Sequence, residues 1–397
     1  MTIFQNTIQS GEMSISLRHQ AMPMDQLITF ASRENPKRGF YFVSKVMGKH
    51  IPCQPSKMRQ AYENLANMID QPHEPTLIIG LGEAATGLGA GVADSLSHRM
   101  SHPQVLYMYS TRQAVDQEIL CTFDEVHSHA PNHILYEPQG YKKQMFNRAK
   151  HLVLIDDEMT TGRTISLLAE KVAERMPSVE RITIMSLISW ISEEREQEIA
   201  ATMPCPTVFR NLLAGEFSFE KNPNYKADLP TRTESEISSS NARLDTGRTG
   251  LLMPHQTIQY DTRGFEQPQV PLLVVGTAEF TFEPFLFAER LEWLGHNVKF
   301  LATTRTPIAL GDAIENKVTF NGTYGDNTSP VNYLYNVPMM GRACLVCYEN
   351  QEQAEVSGLR EVIPDLVPMV LPERGAVSNL PPLRVVAPTQ IMNVAAA

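Results

Sequence analysis

The sequence predicts an α/β protein with a mainly parallel β-sheet and a second, smaller α/β domain towards the C-terminus. From residue 76 to residue 188, apolar runs of strand length alternate with amphipathic helical patterns, which is typical of parallel strands joined by right-handed crossovers. The alternation resumes at Pro271 after a polar stretch, and the remaining residues suffice for one modest core. We therefore predict a first domain at residues 25–219, a polar linker at 220–269 and a second domain at 270–397.

The amino-acid composition indicates which classes of protein the chain can belong to. Hydrophobic residues make up 42% and charged residues 20% of the 397-residue chain, as in soluble globular proteins. The net charge of −10 argues against a protein that coats nucleic acid, because phosphate backbones require surplus lysine and arginine. Five cysteines without framework spacing indicate a reducing compartment. No signal peptide opens the chain, and no apolar run approaches the ~20 residues of a membrane span, so we expect a cytoplasmic protein without a membrane partner.

Two stretches show little hydrophobic periodicity. Residues 1–24 are expected to form a loosely docked arm, and residues 220–269 a linker or a segment that crosses the surface. The second stretch contains DTGRTG at residues 245–250, which resembles a phosphate-binding turn but follows no apolar strand. We interpret that resemblance as a coincidence.

The segment HLVLIDDEMTTGRT, residues 151–164, carries the strongest indication of function. Its apolar run is typical of a buried parallel strand, and Asp156 and Asp157 follow at the C-terminal edge, where open α/β sheets bind ligands. The next turn offers hydroxyls and backbone N–H groups at the start of an amphipathic helix, which suits a phosphate. The residues of this turn are Thr160, Thr161, Gly162, Arg163 and Thr164. Vicinal hydroxyls or a hydrated Mg²⁺ suit the acidic pair, so the segment predicts a sugar-phosphate site with Mg²⁺ at Asp156 and Asp157.

A second glycine-rich turn, GLGEAATGLGAG at residues 80–91, follows the first predicted strand of this sheet. Glycine allows the backbone to approach an anion closely, and a threonine hydroxyl adds a donor. The predicted anion-binding residues are Glu83, Ala84, Ala85, Thr86 and Gly87. An acidic residue is unusual in an anion site, so Glu83 either holds Mg²⁺ or orients a loop amide. The alternative is a turn that serves packing alone.

Polar residues between positions 110 and 138 suggest further parts of the site. Arg112 follows a predicted strand and suits pyrophosphate or an acceptor anion, with a surface salt bridge as the alternative. In the irregular segment that follows, Glu125, His127 and His129 share one face if the chain is extended. We predict that this cluster handles substrate, in preference to an inert surface cluster. A metal site ranks third, because zinc normally has three or four protein ligands.

The C-terminal domain shows a weaker indication of a second ligand site. Gly276 ends one predicted strand and Thr304 and Arg305 follow the next, so both turns are expected at one edge of a parallel sheet. There Arg305 would bind a carboxylate or phosphate, with Glu279 and Asn336 as polar partners. The alternative is that Arg305 pairs with an acidic residue across the domain interface and only joins the two domains.

These segments together resemble the phosphoribosyltransferases of bacterial tellurite-resistance (ter) gene clusters, which carry a C-terminal TRSP domain. Residues 151–164 are similar to the 5-phosphoribosyl-1-pyrophosphate (PRPP) motif of type I phosphoribosyltransferases, except that Glu158 replaces an apolar residue. The name motif of the TRSP domain reads TRTP at residues 304–307, and the pyrophosphate loop reads EAAT at 83–86 where relatives usually have ETAT. The resemblance extends over nearly the whole chain from about residue 25, in the stretches NPKRGFYFVSKVMGKHIP, GLGEAATGLGAGV, YSTR, FDEVHSHAPNHILY, VLIDDEMTTGRT, ARLDTGRTG, GTAEFTFEPFLFAERLEWLG, TTRTP and NYLYNVP.

The resemblance implies a type I phosphoribosyltransferase-like parallel sheet with a hood, followed by a smaller Rossmann-like α/β domain. It implies an enzyme that uses PRPP or a related ribose phosphate, with Mg²⁺, to form or break an N-glycosidic bond in a nucleoside-like compound. The pathway would be a tellurite or stress response. Asp156 and Asp157 would contact the ribose hydroxyls and residues 160–164 the 5′-phosphate, and an acid or base would be Glu125 or a hood histidine.

The resemblance leaves the acceptor and the oligomeric state open. The expected partners are the ribose phosphate and a small-molecule acceptor, without nucleic acid, and a homodimer is one arrangement. Two other functions compete with the enzyme: a PRPP-binding regulator without turnover, and an assembly component that acts through its C-terminal domain.

Overall fold

The structure, a computed structural model, describes residues 3–33, 38–71, 73–100, 104–124, 132–226, 241–254, 270–322, 331–338, 341–372 and 394–396. Within these ranges the chain forms 19 strands and nine helices. The strands are β1 (Ile3–Ile8), β2 (Gly11–Gln20), β3 (Ile28–Ser32), β4 (Phe40–Ser44), β5 (Thr76–Gly80), β6 (Val105–Tyr109), β7 (Ile119–Asp124), β8 (Asn132–Tyr136), β9 (His151–Met159), β10 (Arg181–Ser189), β11 (Thr207–Lys221), β12 (Leu251–Met253), β13 (Leu272–Gly276), β14 (Val298–Ala302), β15 (Asn316–Phe320), β16 (Asn332–Tyr335), β17 (Ala343–Tyr348), β18 (Val367–Val370) and β19 (Val394–Ala396). The helices are α1 (Met24–Leu27), α2 (Pro55–Ala66), α3 (Ala85–His98), α4 (Tyr141–Arg148), α5 (Arg163–Ala173), α6 (Glu193–Thr202), α7 (Phe282–Trp293), α8 (Gln351–Val356) and α9 (Leu359–Val362).

The larger sheet has eight strands in the order β1-β2-β11-β10-β9-β5-β6-β12. Its central strands β6, β5, β9, β10 and β11 run parallel. All five residues of β5 and the first five of β9 are buried, as expected of parallel strands with both faces covered. Helix α3 packs against β5, β6 and β9, and α5 packs against β9. The predicted α/β fold with a mainly parallel sheet is therefore confirmed.

The N-terminal residues belong to this sheet, so the prediction of a loosely docked arm was wrong. Strands β1 and β2 form a hairpin, and β2 pairs antiparallel with residues 213–221 of β11, most of which extend beyond β10. Met13, Ile15 and Leu17 alternate with polar residues, which gives β2 one apolar face. Met13 and Ile15 are each only 1% exposed. The hairpin is therefore held by ladder hydrogen bonds and by burial.

The opposite edge of the sheet is closed by β12, which lies inside the stretch predicted as a linker. Strand β12 pairs antiparallel with β6, and Leu251 and Met253 are buried. Shortly before it, the side chain of Arg248 is fully buried. Part of residues 220–269 is therefore buried structure, while the domain boundaries themselves stay a prediction.

The second sheet lies in the C-terminal part of the chain (residues 270–372) and has four parallel strands in the order β14-β13-β17-β18. Strand β13 ends at Gly276 and its parallel neighbour β14 at Ala302, so the turns after them open at one edge of the sheet, as predicted. Helix α7 packs against β13 and β14, and also against α2 and α3 of the N-terminal part (residues 3–226). None of the helices in the described ranges is long and apolar enough to cross a membrane.

Candidate active site

The predicted acidic pair lies at the carboxyl end of β9, near the centre of the larger sheet. Asp156 and Asp157 follow five buried residues and are themselves partly exposed. The backbone N–H of Asp157 donates to Oδ1 of Asp156 at 2.9 Å. A rigid strand thus presents two carboxylates at the edge of the sheet where ligands bind in open α/β folds.

The turn after the acidic pair takes its shape from Gly162. Its φ of 68° lies in the left-handed region, and a Cβ atom there would lie 2.8 Å from the Cδ1 atoms of Ile191 and Ile199. Helix α5 begins directly afterwards at Arg163. Thr160, Thr161, Arg163 and Thr164 are partly or fully exposed around this helix start, where backbone N–H groups and the helix dipole favour an anion. The turn therefore has the donors that a phosphate requires.

The glycine-rich loop between β5 and α3 lies beside the acidic pair. Strand β5 is the parallel neighbour of β9, and the N–H of Leu81 donates to the carbonyl oxygen of Ile155 at 2.9 Å. On the other side, the N–H of Gly82 donates to Oγ of Ser110 at 2.9 Å. A Cβ atom on Gly82 would lie 2.0 Å from the carbonyl oxygen of Ser110, so only glycine fits. The Gly82–Glu83 peptide bond is cis. The hydrogen bonds of Leu81 and Gly82 hold the loop between the ends of β9 and β6.

Two of the residues predicted in this loop face the C-terminal part of the chain. The hydroxyl of Thr86 donates to the carbonyl oxygen of Glu83 at 3.1 Å and lies 3.2 Å from the hydroxyl of Thr281. A Cβ atom on Gly87 would lie 2.8 Å from the same hydroxyl of Thr281. Thr86 is buried. The described contacts of the Thr86 hydroxyl are thus with Glu83 and Thr281, and its role as a ligand donor stays a prediction. Ala84 and Ala85 form the N-cap and first residue of this helix.

Glu83 is the most strongly engaged residue of the loop. Its Oε1 atom accepts a hydrogen bond from Nζ of Lys49 at 2.8 Å, and its Oε2 atom accepts one from Nε of Arg305 at 3.0 Å. Burial raises the pKa of Glu83, but the charges of Lys49 and Arg305, with a contribution from Arg112, outweigh burial and lower the pKa to about 2. Glu83 is therefore ionised at any physiological pH and orients two cations, a role that neither interpretation of the sequence had included.

Arg112 lies at the end of β6 and faces the interior of the site. Its Nη2 atom lies 3.1 Å from Nε2 of His133, and Nδ1 of the same ring lies 3.1 Å from Oγ of Ser110. The backbone N–H of Arg112 donates to Oε1 of Glu279 at 3.1 Å. His133 is fully buried and stacks on Phe123. The described contacts of Arg112 are with the buried ring of His133 and with Glu279, and its charge helps to lower the pKa of Glu83 in the glycine-rich loop. Its predicted role and the surface salt bridge considered as the alternative both stay predictions.

The hood begins as an antiparallel hairpin of β7 and β8, with Phe123 opposite His133. Glu125, His127 and His129 lie outside the described residues, so their predicted roles stay predictions. His133 belongs to the same cluster in the sequence and takes part in the site through Ser110 and Arg112. The sequence could have indicated that His133 is part of the site, because His133 directly precedes the apolar residues of β8.

Two of the residues predicted to form a second site, Glu279 and Asn336, form hydrogen bonds with other segments of the chain. Glu279 is buried and accepts hydrogen bonds from Thr111 Oγ1 at 2.6 Å and from Arg248 Nη2 at 3.0 Å. The amide of Asn336 donates to the carbonyl oxygens of His50 and Ala313, both at 2.9 Å. The polar groups of Glu279 and Asn336 thus join different segments of the chain, and their role as partners of Arg305 at a second site stays a prediction.

The remaining two members of that set serve the backbone of the second sheet. Gly276 accepts a hydrogen bond at its carbonyl oxygen from the N–H of Thr303 at 3.0 Å. Thr304 is buried, and its hydroxyl accepts from the N–H of Thr306 at 3.2 Å. Both shape the turns that carry Arg305 and Glu279 towards the N-terminal part. Of the alternatives for Arg305, the structure shows the contact across the interface, with Glu83 as the acidic partner.

Several residues between β3 and α2 that lie around the acidic pair were not predicted as site residues. Arg38 donates to Glu158, and its guanidinium lies over the Phe40 ring. Burial raises the pKa of Glu158, and the Arg38 charge offsets this only in part. Burial, together with Asp157 and Glu158, also raises the pKa of Tyr41 well above its ordinary value, so Tyr41 keeps its proton. The concentration of basic and aromatic residues in this stretch was the available signal.

The donor set fits a magnesium ion that arrives with a phosphate ligand. The described residues contain no group of three or more histidine, cysteine, aspartate or glutamate side chains arranged to hold a metal. Mg²⁺ is commonly bound through one or two carboxylates, several waters and the phosphates of a substrate. Asp156 and Asp157 supply those two carboxylates, and both are partly exposed.

Two family models match the chain one after the other. A model described as "Phosphoribosyl transferase" matches residues 27–216, and a model described as "TRSP domain C terminus to PRTase_2" matches residues 245–364. A comparison with curated proteins gave no match.

Parts of the chain are also similar to solved structures. Adenine phosphoribosyltransferase from Trypanosoma brucei, in complex with AMP, pyrophosphate and ribose-5-phosphate, is 14% identical with a TM-score of 0.33; the match covers 47% of this chain and 77% of that one. Adenine phosphoribosyltransferase from Giardia lamblia is 16% identical with a TM-score of 0.32, covering 49% and 98%. Orotate phosphoribosyltransferase from Aeropyrum pernix is 17% identical with a TM-score of 0.28, covering 44% and 79%. The two successive matches show that the chain combines a phosphoribosyltransferase domain with the TRSP domain that follows it.

Proposed function

We propose that the chain is an enzyme that transfers a 5-phosphoribosyl group. It uses PRPP or a related ribose phosphate, together with Mg²⁺, to form or break the N-glycosidic bond of a nucleoside-like compound. One observation carries the proposal: two adjacent parallel strands, β5 and β9, end in a glycine-rich loop and in an acidic pair with a phosphate-type turn. Neighbouring strands lie about 4.8 Å apart, so one ribose phosphate can reach both loops.

Different residues bind different parts of this ligand. Asp156 and Asp157 bind the two ribose hydroxyls, and the N–H groups and hydroxyls of residues 160–164 bind the 5′-phosphate. Displacement at the anomeric carbon passes through an oxocarbenium-like state, and preorganised donors at the glycine-rich loop stabilise the departing pyrophosphate. Mg²⁺ supplies charge neutralisation for the phosphates when it is bound. No protein nucleophile is required.

The biological setting is part of the same proposal. The resemblance to phosphoribosyltransferases of tellurite-resistance gene clusters supports a role in a stress-response pathway that makes or breaks a nucleoside-like compound. The acceptor is a small molecule that carries the nitrogen to be ribosylated.

Titration of the purified full-length protein with PRPP in the presence of Mg²⁺ tests the proposal first. We expect saturable binding by calorimetry, followed by release of pyrophosphate when a suitable member of a panel of purine, pyrimidine and other nitrogen heterocycles is added. Binding without pyrophosphate release over the whole panel would favour a PRPP-binding regulator. A protein that binds neither PRPP nor ribose 5-phosphate would contradict the proposal and favour the assembly component.

The hood is proposed to act on the reaction rather than on donor binding. Replacing His127 and His129 with glutamine is expected to lower kcat by about 100-fold, the scale of lost acid–base assistance, while the Kd for PRPP changes little. Steady-state kinetics with the acceptor found in the panel would measure the first quantity, and calorimetry the second. His98→Gln is the matched control, because His98 is 67% exposed. Stoichiometric zinc in the purified wild-type protein would contradict this role.

A further inference from the structure

Two cations from distant parts of the chain meet at the glycine-rich loop. Lys49 lies between β4 and α2 of the N-terminal part, and Arg305 follows β14 of the C-terminal part. Both contact the carboxylate of Glu83, at 2.8 Å and 3.0 Å. The three side chains are mostly buried, with exposures of 7% for Lys49, 11% for Glu83 and 20% for Arg305. The structure therefore brings a cation of the TRSP domain into the predicted pyrophosphate loop of the transferase domain.

Two positively charged side chains and one carboxylate are in direct contact at this position. Glu83 is one carboxylate in contact with two cations, and Arg112 is a third positive charge near enough to influence it. The neighbouring ring of His50 is neutral, since burial and the Lys49 charge lower its pKa to about 3. Its buried Nε2 atom has no hydrogen-bond partner in the described part of the chain. Electrostatic interactions are stronger in such a partly buried place than in water, so the pair of cations Lys49 and Arg305 attracts an anionic ligand that reaches this loop.

The location relative to the acidic pair identifies the ligand group. The loop that carries Glu83 follows β5, and Asp156 lies at the end of the adjacent strand β9. A ribose held by Asp156 and Asp157, with its 5′-phosphate in the turn before α5, extends its anomeric substituent towards the neighbouring loop. In a ribosyl donor that substituent is a diphosphate, and a guanidinium matches phosphate oxygens with paired hydrogen bonds.

We propose that Arg305 and Lys49 together bind the diphosphate group of the ribosyl donor, so that the TRSP domain completes the donor site of the transferase domain. The inference rests on the proposed function and adds the residue that the second domain contributes. Glu83 keeps the two cations side by side across the boundary between the domains.

Other contacts already hold the two parts of the chain together, which argues against a purely structural role for Arg305. Arg59 forms paired hydrogen bonds with Glu289 at 2.7 Å and 2.8 Å, and Ser56 binds Glu292 through its N–H and its hydroxyl. These contacts join α2 to α7. The contact between Arg305 and Glu83 is therefore not needed to hold the two parts of the chain together.

Calorimetric titration of the full-length protein with three probes tests the inference. The probes are PRPP with Mg²⁺, inorganic pyrophosphate with Mg²⁺, and ribose 5-phosphate, which lacks the diphosphate. For Arg305→Ala we expect the Kd values for PRPP and pyrophosphate to rise by about 10- to 100-fold, the scale of lost charged hydrogen bonds. The Kd for ribose 5-phosphate stays within about twofold. Lys49→Ala, in the other domain, gives the same selective loss. Arg290→Ala is the matched control, because Arg290 is an exposed arginine of α7 that lies over Trp293.

The outcomes separate this inference from the proposed function. If the wild-type protein binds PRPP and ribose 5-phosphate but Arg305→Ala binds PRPP and pyrophosphate normally, the inference is overturned and the proposed function stands. A lowered melting temperature with unchanged pyrophosphate affinity also overturns it, since Arg305 is then only structural. If Arg305→Ala does not fold, Arg305→Gln keeps a hydrogen bond to Glu83 without the charge, and the same selective loss is required of it.

Discussion

Replacing Asp156 and Asp157 together with asparagine is expected to weaken the binding of Mg-PRPP by about 3 kcal/mol, a rise in Kd of more than 100-fold. The two carboxylates are the proposed acceptors for the ribose hydroxyls and ligands for Mg²⁺, and an amide provides neither the charge nor the second acceptor oxygen. Both side chains are partly exposed at the end of β9, so their removal leaves the core of the sheet intact. Calorimetric titration of the full-length variant measures the effect directly.

A change in PRPP affinity can be assigned to the acidic pair only if the double variant keeps its fold. Glu193→Gln combined with Glu194→Gln removes the same two charges from the exposed first turn of α6 and serves as the control. We expect the melting temperatures of both double variants to stay close to the wild-type value. A folded Asp156→Asn, Asp157→Asn variant with wild-type affinity for PRPP would remove the acidic pair from the site.

Arg248→Met is expected to lower the free energy of unfolding by about 3–5 kcal/mol, the cost of breaking a buried ion pair from one side. The Arg248 side chain is fully buried and lies 3.0 Å from Glu279 and 2.8 Å from Glu349. Methionine has a similar length but leaves both carboxylates without their cation. Urea unfolding followed by tryptophan fluorescence measures the change, and we expect the midpoint to move to lower urea concentration.

An exposed arginine gives the comparison. Arg195 lies 2.9 Å from Glu198 on the surface of α6, and Arg195→Met is expected to change stability by less than about 0.5 kcal/mol. Adding Glu279→Gln and Glu349→Gln to Arg248→Met should restore part of the loss, because the two uncompensated charges are then absent. Equal stability of Arg248→Met and Arg195→Met would show that the buried cluster contributes nothing to the fold.

Features that depend on neighbouring residues in the sequence were predicted well. In residues 151–164 a buried strand, two acidic residues and a glycine turn follow one another directly, and the structure places them as β9, its carboxyl end and the start of α5. The alternation of Met13, Ile15 and Leu17 with polar residues in β2 is equally local, but it was overlooked, and the prediction of a loosely docked arm was wrong. Whether such a hairpin docks depends on an available partner, and the partner, β11, lies far along the chain.

Contacts between the two parts of the chain could not be predicted. Glu279 was expected beside Arg305, but its carboxylate binds Arg248, which comes from the stretch interpreted as a linker. Glu83 was recognised as unusual, and only the docked structure brings Lys49 and Arg305 to it. Ion pairs of this kind follow from the docking of surfaces, which leaves no periodic pattern in the sequence.

The position of β12 at the edge of the larger sheet has a consequence for synthesis on the ribosome. The β1–β2 hairpin emerges before the rest of the larger sheet, but its partner β11 follows only after β5, β6, β9 and β10, and β12 follows later still. Until residue 253 has left the ribosome, β6 is an edge strand of the nascent chain. Unpaired edges can pair with other chains, and incompletely folded domains are prone to aggregate. The solubility of the protein while it is being made therefore depends on how soon three residues, Leu251–Met253, reach the edge of the sheet.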